Sequence, residues 1–151
     1  MLNIVIPMAG AGSRFNRAGL NTPKPLINIY GEPMIAHVIR NLTPNFPHQF
    51  IFICQDAHIK KYNLRKKLKT YSESCKIIAI NGLTDGAACT VLFAKSLINN
   101  NNPLMIANSD QICDTNISEY IKLVDKNKLD GPYRDWETDR KSTRLNSSHR
   151  L

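Results

Sequence analysis

No apolar stretch in this sequence approaches the length of a bilayer crossing. The longest runs, such as Ile4 to Ala9 and Phe50 to Cys54, are far short of the roughly 20 residues a spanning helix needs. The opening residues, Met1-Leu2-Asn3-Ile4-Val5-Ile6-Pro7, lack a basic n-region and a small-residue cleavage site, so no secretory signal is read and a cytoplasmic location is expected. The four cysteines (Cys54, Cys75, Cys89 and Cys113) are scattered. They form no C-x-x-C pair for zinc or redox work and no dense disulfide framework, and are expected to be reduced and mostly buried. A Gly-Lys-Ser/Thr triplet is also absent, which removes the Walker phosphate loop, and no internal repeat is visible.

What is present is an ordinary globular composition. Hydrophobic residues make up 42% and charged residues 21% of the 151 positions, which argues against wholesale disorder and against a fibrous repeat. At roughly 100 to 200 residues per domain, the chain is one domain or a piece of a larger one. The net charge of +8 raises the question of nucleic acid, but the distribution of charge matters more than its size. Six basic residues (Lys60, Lys61, Arg65, Lys66, Lys67 and Lys69) fall in one ten-residue segment, alongside Ile59, Tyr62 and Leu68. This pattern is the solvated face of a helix with three apolar residues turned inward, so no nucleic-acid partner and no membrane partner are expected.

From Pro132 onward the apolar periodicity stops and Arg, Ser, Thr, Asp and Asn dominate. The string Asp139-Arg140-Lys141-Ser142-Thr143-Arg144-Leu145-Asn146-Ser147-Ser148-His149 resembles the conceptual translation of a short-read sequencing adapter. Residues 132–151 are therefore expected to be a non-native tail, excluded from fold reasoning. The remaining residues 1–131 hold fifteen basic and nine acidic side chains, a net +6.

Within residues 1–131, Asn3 to Ala9, Phe50 to Cys54, Lys76 to Ile80 and Leu104 to Ala107 are short, nearly continuous apolar runs, as in strands covered on both faces. Between and after them lie helical patterns at Pro33 to Leu42, Ile59 to Leu68, Ala87 to Ile98 and Ile117 to Lys128. The last is opened by Asn116 with Glu119 three residues on, in the manner of a capping box. This alternation predicts an α/β fold, a Rossmann-like parallel or mixed sheet built from βαβ units with helices on both faces.

The chemistry-bearing residues begin directly after the first strand, with Ala9 leading into Gly10-Ala11-Gly12-Ser13-Arg14-Phe15. In an open α/β sheet that place is the crevice at the carboxyl ends of the strands. Its glycines let backbone N–H groups point at phosphate oxygens. Phe15 stands where a dinucleotide fingerprint wants a third glycine, which disfavours a dinucleotide oxidoreductase. Instead there are two cations: Arg14 in the loop, and Lys24 ten residues on in Pro23-Lys24-Pro25-Leu26. A planar fork and a point charge beside an amide-lined loop suit a polyphosphate, and the flanking prolines stiffen the backbone that carries Lys24.

These residues resemble the sugar-phosphate nucleotidyltransferases, the nucleoside-diphosphate-sugar pyrophosphorylases. The family's order is Gly-x-Gly-Ser/Thr-Arg-Phe/Leu, then Pro-Lys-Pro-Leu/Met, then Gly-x-Pro-Met/Leu-Ile/Leu. It is matched here by Gly10 to Phe15, Pro23 to Leu26 and Gly31-Glu32-Pro33-Met34-Ile35. Thr84-Asp85-Gly86-Ala87-Ala88-Cys89-Thr90-Val91-Leu92 and Asn108-Ser109-Asp110 resemble two further family elements, so the likeness covers nearly all of residues 2–114.

The resemblance implies a nucleotide-diphospho-sugar transferase fold, here truncated, with residues 1–131 as its N-terminal nucleotide-binding part. It implies transfer of a nucleoside monophosphate from a nucleoside triphosphate to a sugar-1-phosphate, with release of pyrophosphate. The product would be a nucleotide-sugar of the kind that feeds surface polysaccharide. By the same resemblance, Arg14 and Lys24 are the catalytic cations. Ala9, Gly10, Ala11, Gly12 and Ser13 hold the triphosphate, Gly86 meets the nucleobase and Asp110 holds Mg²⁺. Asp85 is either a nucleotide contact or a turn former, and Asp110 has a strand-end cap as its structural alternative. His37 and His58 have no ligand partner at metal spacing and read as structural.

The sugar-binding segments and second acidic metal residue of the family are not found in this chain, so weak nucleotide binding and little or no turnover are expected of it. The base, the acceptor and the oligomeric state are not readable. A transferase acting on a non-sugar phosphorylated alcohol such as phosphocholine, or a non-catalytic nucleotide-binding module, are the alternative readings.

Overall fold

Burial of β1 (Leu2–Met8) from Leu2 through Ile6 without interruption makes this strand an interior one, since only a strand covered on both faces tolerates so continuous an apolar run. The structure, a computed structural model, describes residues 1–10 and 22–126. After β1 the described chain resumes with a 3-10 turn (Lys24–Leu26), a hairpin of β2 (Asn28–Ile29) and β3 (Glu32–Pro33), and helix α1 (Met34–Leu42). Strand β4 (His48–Gln55), helices α2 (Asp56–Tyr62) and α3 (Leu64–Tyr71), and strand β5 (Lys76–Ile80) follow. Two short helices, α4 (Ala87–Leu92) and α5 (Lys95–Ile98), then lead to β6 (Leu104–Ile106). These elements belong to one compact unit, Met1–Ile117, and a second unit starts at Ser118. The described part of the second is nearly all of the amphipathic helix α6 (Ile117–Lys126). None of the described helices is long and apolar enough to cross a membrane.

The main sheet has the order β5-β4-β1-β6, and every pairing in it is parallel. Ile4 stands opposite Phe50 on one side and Met105 on the other. Alternation sends successive side chains to opposite faces. Val5, Ile51, Ile53 and Ile80 form one buried cluster with Val91 of α4 and Ala94. Ile4, Ile6, Phe50 and Phe52 take the other face and are fully buried, with the rings of Phe50 and Phe52 stacked 5.8 Å apart. Helices α1 and α3 carry buried stripes (Ile35, Val38 and Ile39; Leu64 and Leu68) and pack on each other. At the outer edge, Leu104 and Ile106 of β6 remain 44% and 54% exposed.

Two helices expected to be continuous are broken. Ile59 to Leu68 is interrupted at Asn63, whose φ of 51° and ψ of 46° are left-handed. Asparagine enters that region more readily than other non-glycine residues, and the break lets both Ile59 and Leu68 face inward. The Ala87 to Ile98 pattern divides into α4 and α5 because Val91, Ala94 and Leu97, which pack on the same cluster, recur every three residues. Bonds of the i to i−3 type, Ala94 N–H to Val91 at 2.9 Å and Leu97 N–H to Ala94 at 2.8 Å, tighten the chain to that period. The cysteine expectation is corrected in half: all four thiols are free, and Cys54 and Cys75 are buried, but Cys89 and Cys113 are exposed. The capping reading at Asn116 and the tail from Pro132 lie, respectively, at the start of the second unit's helix and outside the described residues.

Candidate functional site

The order β5-β4-β1-β6 places the first strand between one that follows it directly and one that arrives last, so the chain's direction of winding reverses between β1 and β6. Such a switch point leaves a crevice beyond the carboxyl ends of the strands. Ala9 and Gly10 leave β1 there, and Ala107 continues the pairing by one N–H bond to Val5 at 3.0 Å before the chain turns through Asn108 to Asp110. The carboxylate of Asp110 meets the ammonium of Lys24, 86 residues away in sequence, in a direct ion pair. Both side chains are partly exposed, so the pair lies within reach of a solvent-borne ligand.

Lys24 opens its 3-10 turn between Pro23, at φ −53° and ψ 136°, and the buried Pro25 and Leu26. Leu26 N–H bonds Pro23 at 2.8 Å and Ile27 N–H bonds Lys24 at 3.2 Å. The stiff tether read from the sequence is therefore also anchored at its apolar end. Beyond it, the hairpin turns on Tyr30 (φ 50°) and Gly31 (φ 87°), the two positive φ values of a type I′ turn that matches strand twist.

Helix α1 serves as a common mount. Met34 N–H bonds Ile27 at 2.9 Å, and His37 Nε2 lies 2.9 Å from the Ile29 carbonyl, so that nitrogen carries the proton and donates it. The Arg40 guanidinium bonds Glu32 at 2.5 Å and the His37 Nδ1 at 3.2 Å. The Arg40 bond holds the exposed Glu32 carboxyl below its usual range. At the far end of α1, Asn41 donates from Nδ2 to the Cys113 carbonyl at 2.8 Å, and its Oδ1 accepts the Cys113 N–H at 2.9 Å. One helix thus holds the Lys24 turn through its first half and the loop after Asp110 through its second. His37 has the structural role expected of it. His58 is half-buried beside Tyr62, where burial and then Lys61 push its pKa down.

On the other side of β1, Gln55 at the end of β4 donates from Nε2 to the Ala9 carbonyl at 2.7 Å. Gln55, Asp56 and Lys60 also line a pocket of about 350 Å³, with Asn81 and Gly82 after β5. Further along, Gly86 precedes α4 at φ 139°, a conformation that side-chain-bearing residues rarely adopt. The Thr90 hydroxyl bonds the Gly86 carbonyl at 3.0 Å and meets that of Thr84 at 2.5 Å, fixing the turn while Asp85 stays exposed.

Of the residues singled out in the sequence, Lys24 and Asp110 are brought together, Gly10 lies at the end of the neighbouring strand, and Ala9 is buried in the core beneath it. Asp85 and Gly86 flank the entry to α4. Ala11, Gly12, Ser13 and Arg14 lie outside the described residues. Sequence reasoning missed Gln55, Asn81 and Asn41. The first two carried a usable signal, a polar side chain closing an apolar strand at its carboxyl end; Asn41 sits among ordinary helix residues and carried none. Among the described residues no group of three or more His, Cys, Asp or Glu gathers into a metal site.

Comparison with known proteins bears on the family and the fold. A family model described as nucleotidyl transferase matches residues 4–134. The bifunctional protein GlmU of Methanocaldococcus jannaschii is 26% identical over 122 residues, 80% of this chain and 28% of that protein. The mannose-1-phosphate guanylyltransferase catalytic subunit beta of Drosophila pseudoobscura is 25% identical over 123 residues, 79% of this chain and 32% of that protein. This chain therefore spans about a third of the curated relatives it matches. In three dimensions it is similar to a putative glucose-1-phosphate thymidylyltransferase from Bacillus anthracis solved with a sucrose, with a TM-score of 0.70 at 19% identity, over 85% of this chain and 52% of that one.

Proposed function

The chain belongs to the nucleotidyl transferase family, and we propose that it carries the nucleotide-binding half of a site that transfers a nucleoside monophosphate from a nucleoside triphosphate to a sugar-1-phosphate. In this reading a phosphate oxygen of the sugar-1-phosphate attacks the α-phosphorus in line. The new oxygen–phosphorus bond forms as the bond to the β-phosphate bridging oxygen breaks, and pyrophosphate leaves with the electron pair. Negative charge crowds between two anionic reactants, so the protein's task is positioning and charge stabilisation, with no protein nucleophile required.

The observation that carries the reading is the meeting of Lys24 with Asp110 at the switch point beside Gly10. Lys24 neutralises the oxygens that close on the α-phosphorus. The backbone from Gly10 through Ala11, Gly12 and Ser13 cradles the triphosphate, and Arg14 binds the departing β- and γ-phosphates. Gln55 and Asn81 offer amide donors and acceptors in the pocket next to the Ala9–Gly10 backbone, a chemistry suited to a base edge, and Asp85 and Gly86 border it in sequence. Asp110 fits Mg²⁺, since that ion uses one or two carboxylates and draws its remaining oxygens from phosphate and water. When bound, Mg²⁺ supplies charge neutralisation across the phosphate oxygens. Nucleotide-sugar formation for surface polysaccharide is the corresponding biological role.

The test is a thermal-shift panel of ATP, GTP, CTP, UTP and dTTP with Mg²⁺, followed by pyrophosphate release with sugar-1-phosphates for whichever triphosphate binds. One triphosphate is expected to raise the melting temperature, and Lys24→Ala and Asp110→Asn to remove the shift. Absence of a shift with every triphosphate defeats the reading. A binder that releases pyrophosphate only with a non-sugar phosphorylated alcohol corrects its acceptor.

A further inference from the structure

We infer that the Lys24–Asp110 ion pair is an exchangeable latch: without ligand, Lys24 occupies the carboxylate that a divalent cation needs, so cation and triphosphate engage together. This rests on the reading of the site above and adds to it the way in which its parts become available.

The contact is between Lys24 Nζ and Asp110 Oδ2, with the side chains 36% and 28% exposed. An ion pair this accessible is weakly held, because water and mobile ions compete for both partners. Its backbone supports are firm by contrast. The Lys24 turn is fastened by prolines and by α1, and the segment after Asp110 by the two bonds from Asn41. Exchange therefore takes place by rotation of the lysine side chain, with the backbone on either side held in place.

A cation arriving alone at Asp110 meets an ammonium in contact with one of its two carboxylate oxygens, and like charges at that separation repel. A triphosphate removes the conflict twice over. Its oxygens accept hydrogen bonds from the ammonium and draw it off the carboxylate, and they complete the oxygen shell that one carboxylate leaves unfilled. Such coupling is reciprocal: whatever factor the triphosphate adds to cation affinity, the cation adds to triphosphate affinity. Lys24 thereby gives up Asp110 for phosphate when the nucleotide arrives.

The experiment uses the full 151-residue chain and Mn²⁺, with free Mn²⁺ read by electron paramagnetic resonance in the absence of nucleotide. Lys24→Met and Lys24→Gln are each expected to tighten Mn²⁺ binding by about 10-fold, within the usual range of site-to-site coupling, and Asp110→Asn added to either to abolish the gain. Mn²⁺ binding no tighter in either variant than in the parent chain overturns the latch. A second readout compares acetylation of Lys24 by an N-hydroxysuccinimide ester with that of exposed Lys66 in the same molecules. Lys24 is expected to react several-fold more slowly than Lys66 and to gain speed in Asp110→Asn; equal rates in both backgrounds also overturn the latch. Failure to bind any triphosphate, with these two readouts as expected, defeats the functional reading and the coupling to nucleotide, and leaves standing only the competition between Lys24 and a cation for Asp110. Triphosphate binding with neither readout moved does the reverse.

Discussion

Asn41 grips Cys113 through both backbone groups, accepting its N–H at 2.9 Å and donating to its carbonyl at 2.8 Å. The two residues are 72 positions apart, and the contact joins the end of α1 to the segment that begins at Asp110. Because the bonds are exposed, they contribute little to global stability, about 0.5–1.5 kcal/mol each. Their effect is to aim a loop.

Asn41→Leu is accordingly expected to shift the urea midpoint only slightly, while weakening binding of the Mg²⁺–triphosphate complex by roughly 10-fold through a misplaced Asp110. Calorimetric titration beside an unfolding curve separates the two effects. A stability loss with unchanged affinity would show that the loop does not depend on Asn41.

Lys24→Ala should lower nucleotidyl transfer by about 100-fold or more, the scale of removing one preorganised donor, in whatever form of the protein shows measurable pyrophosphate release. Near-parental turnover would remove Lys24 from the chemistry.

Gly86→Ala tests the backbone before α4. Space is open around the site, with nothing within 4 Å of an added Cβ, so any loss arises from the φ of 139° alone. A cost of about 1–3 kcal/mol is expected, visible as a lower urea midpoint.

Tyr30 offers the opposite sign. It is 98% exposed and held at φ 50° in a turn that favours asparagine. Tyr30→Asn should raise stability by about 0.5–1 kcal/mol, since a left-handed conformation costs a bulky residue more. A lowered midpoint would mean that the Tyr30 ring is held by contacts that outweigh the strain.

The thiols give a pH test. Burial pushes the Cys54 thiol from its ordinary 9.0 up to about 12. In the unfolded chain it ionises near 9, so the unfolded state binds fewer protons above that pH and is favoured. The Cys54 contribution to stability is therefore whole below about 9 and is lost as pH rises toward 12. Urea midpoints in that window should fall less steeply for Cys54→Ala than for the parent. In the native protein at pH 8, a thiol reagent should label the exposed Cys89 and Cys113 and spare Cys54 until urea is added.

The parallel sheet was legible in the sequence because a strand covered on both faces must be apolar along its whole length, and Ile4 to Ile6 and Phe50 to Cys54 announce that locally. The stiff Pro23-Lys24-Pro25 turn was legible for the same kind of reason, since ring closure restricts the backbone wherever proline stands. Each of these properties is decided within a few residues. The helix breaks were not: asparagine permits the left-handed turn at Asn63 without requiring it, Ala94 suits a continuous helix as well as a bent one, and the choice falls to the packing that buries Leu68 and sets Leu97 on the cluster around Val5. The strand order, the Asn41 grip on Cys113 and the meeting of Lys24 with Asp110 came only from the tertiary structure. They join segments tens of residues apart, and sequence spacing carries no information about which distant side chains a crossover brings face to face.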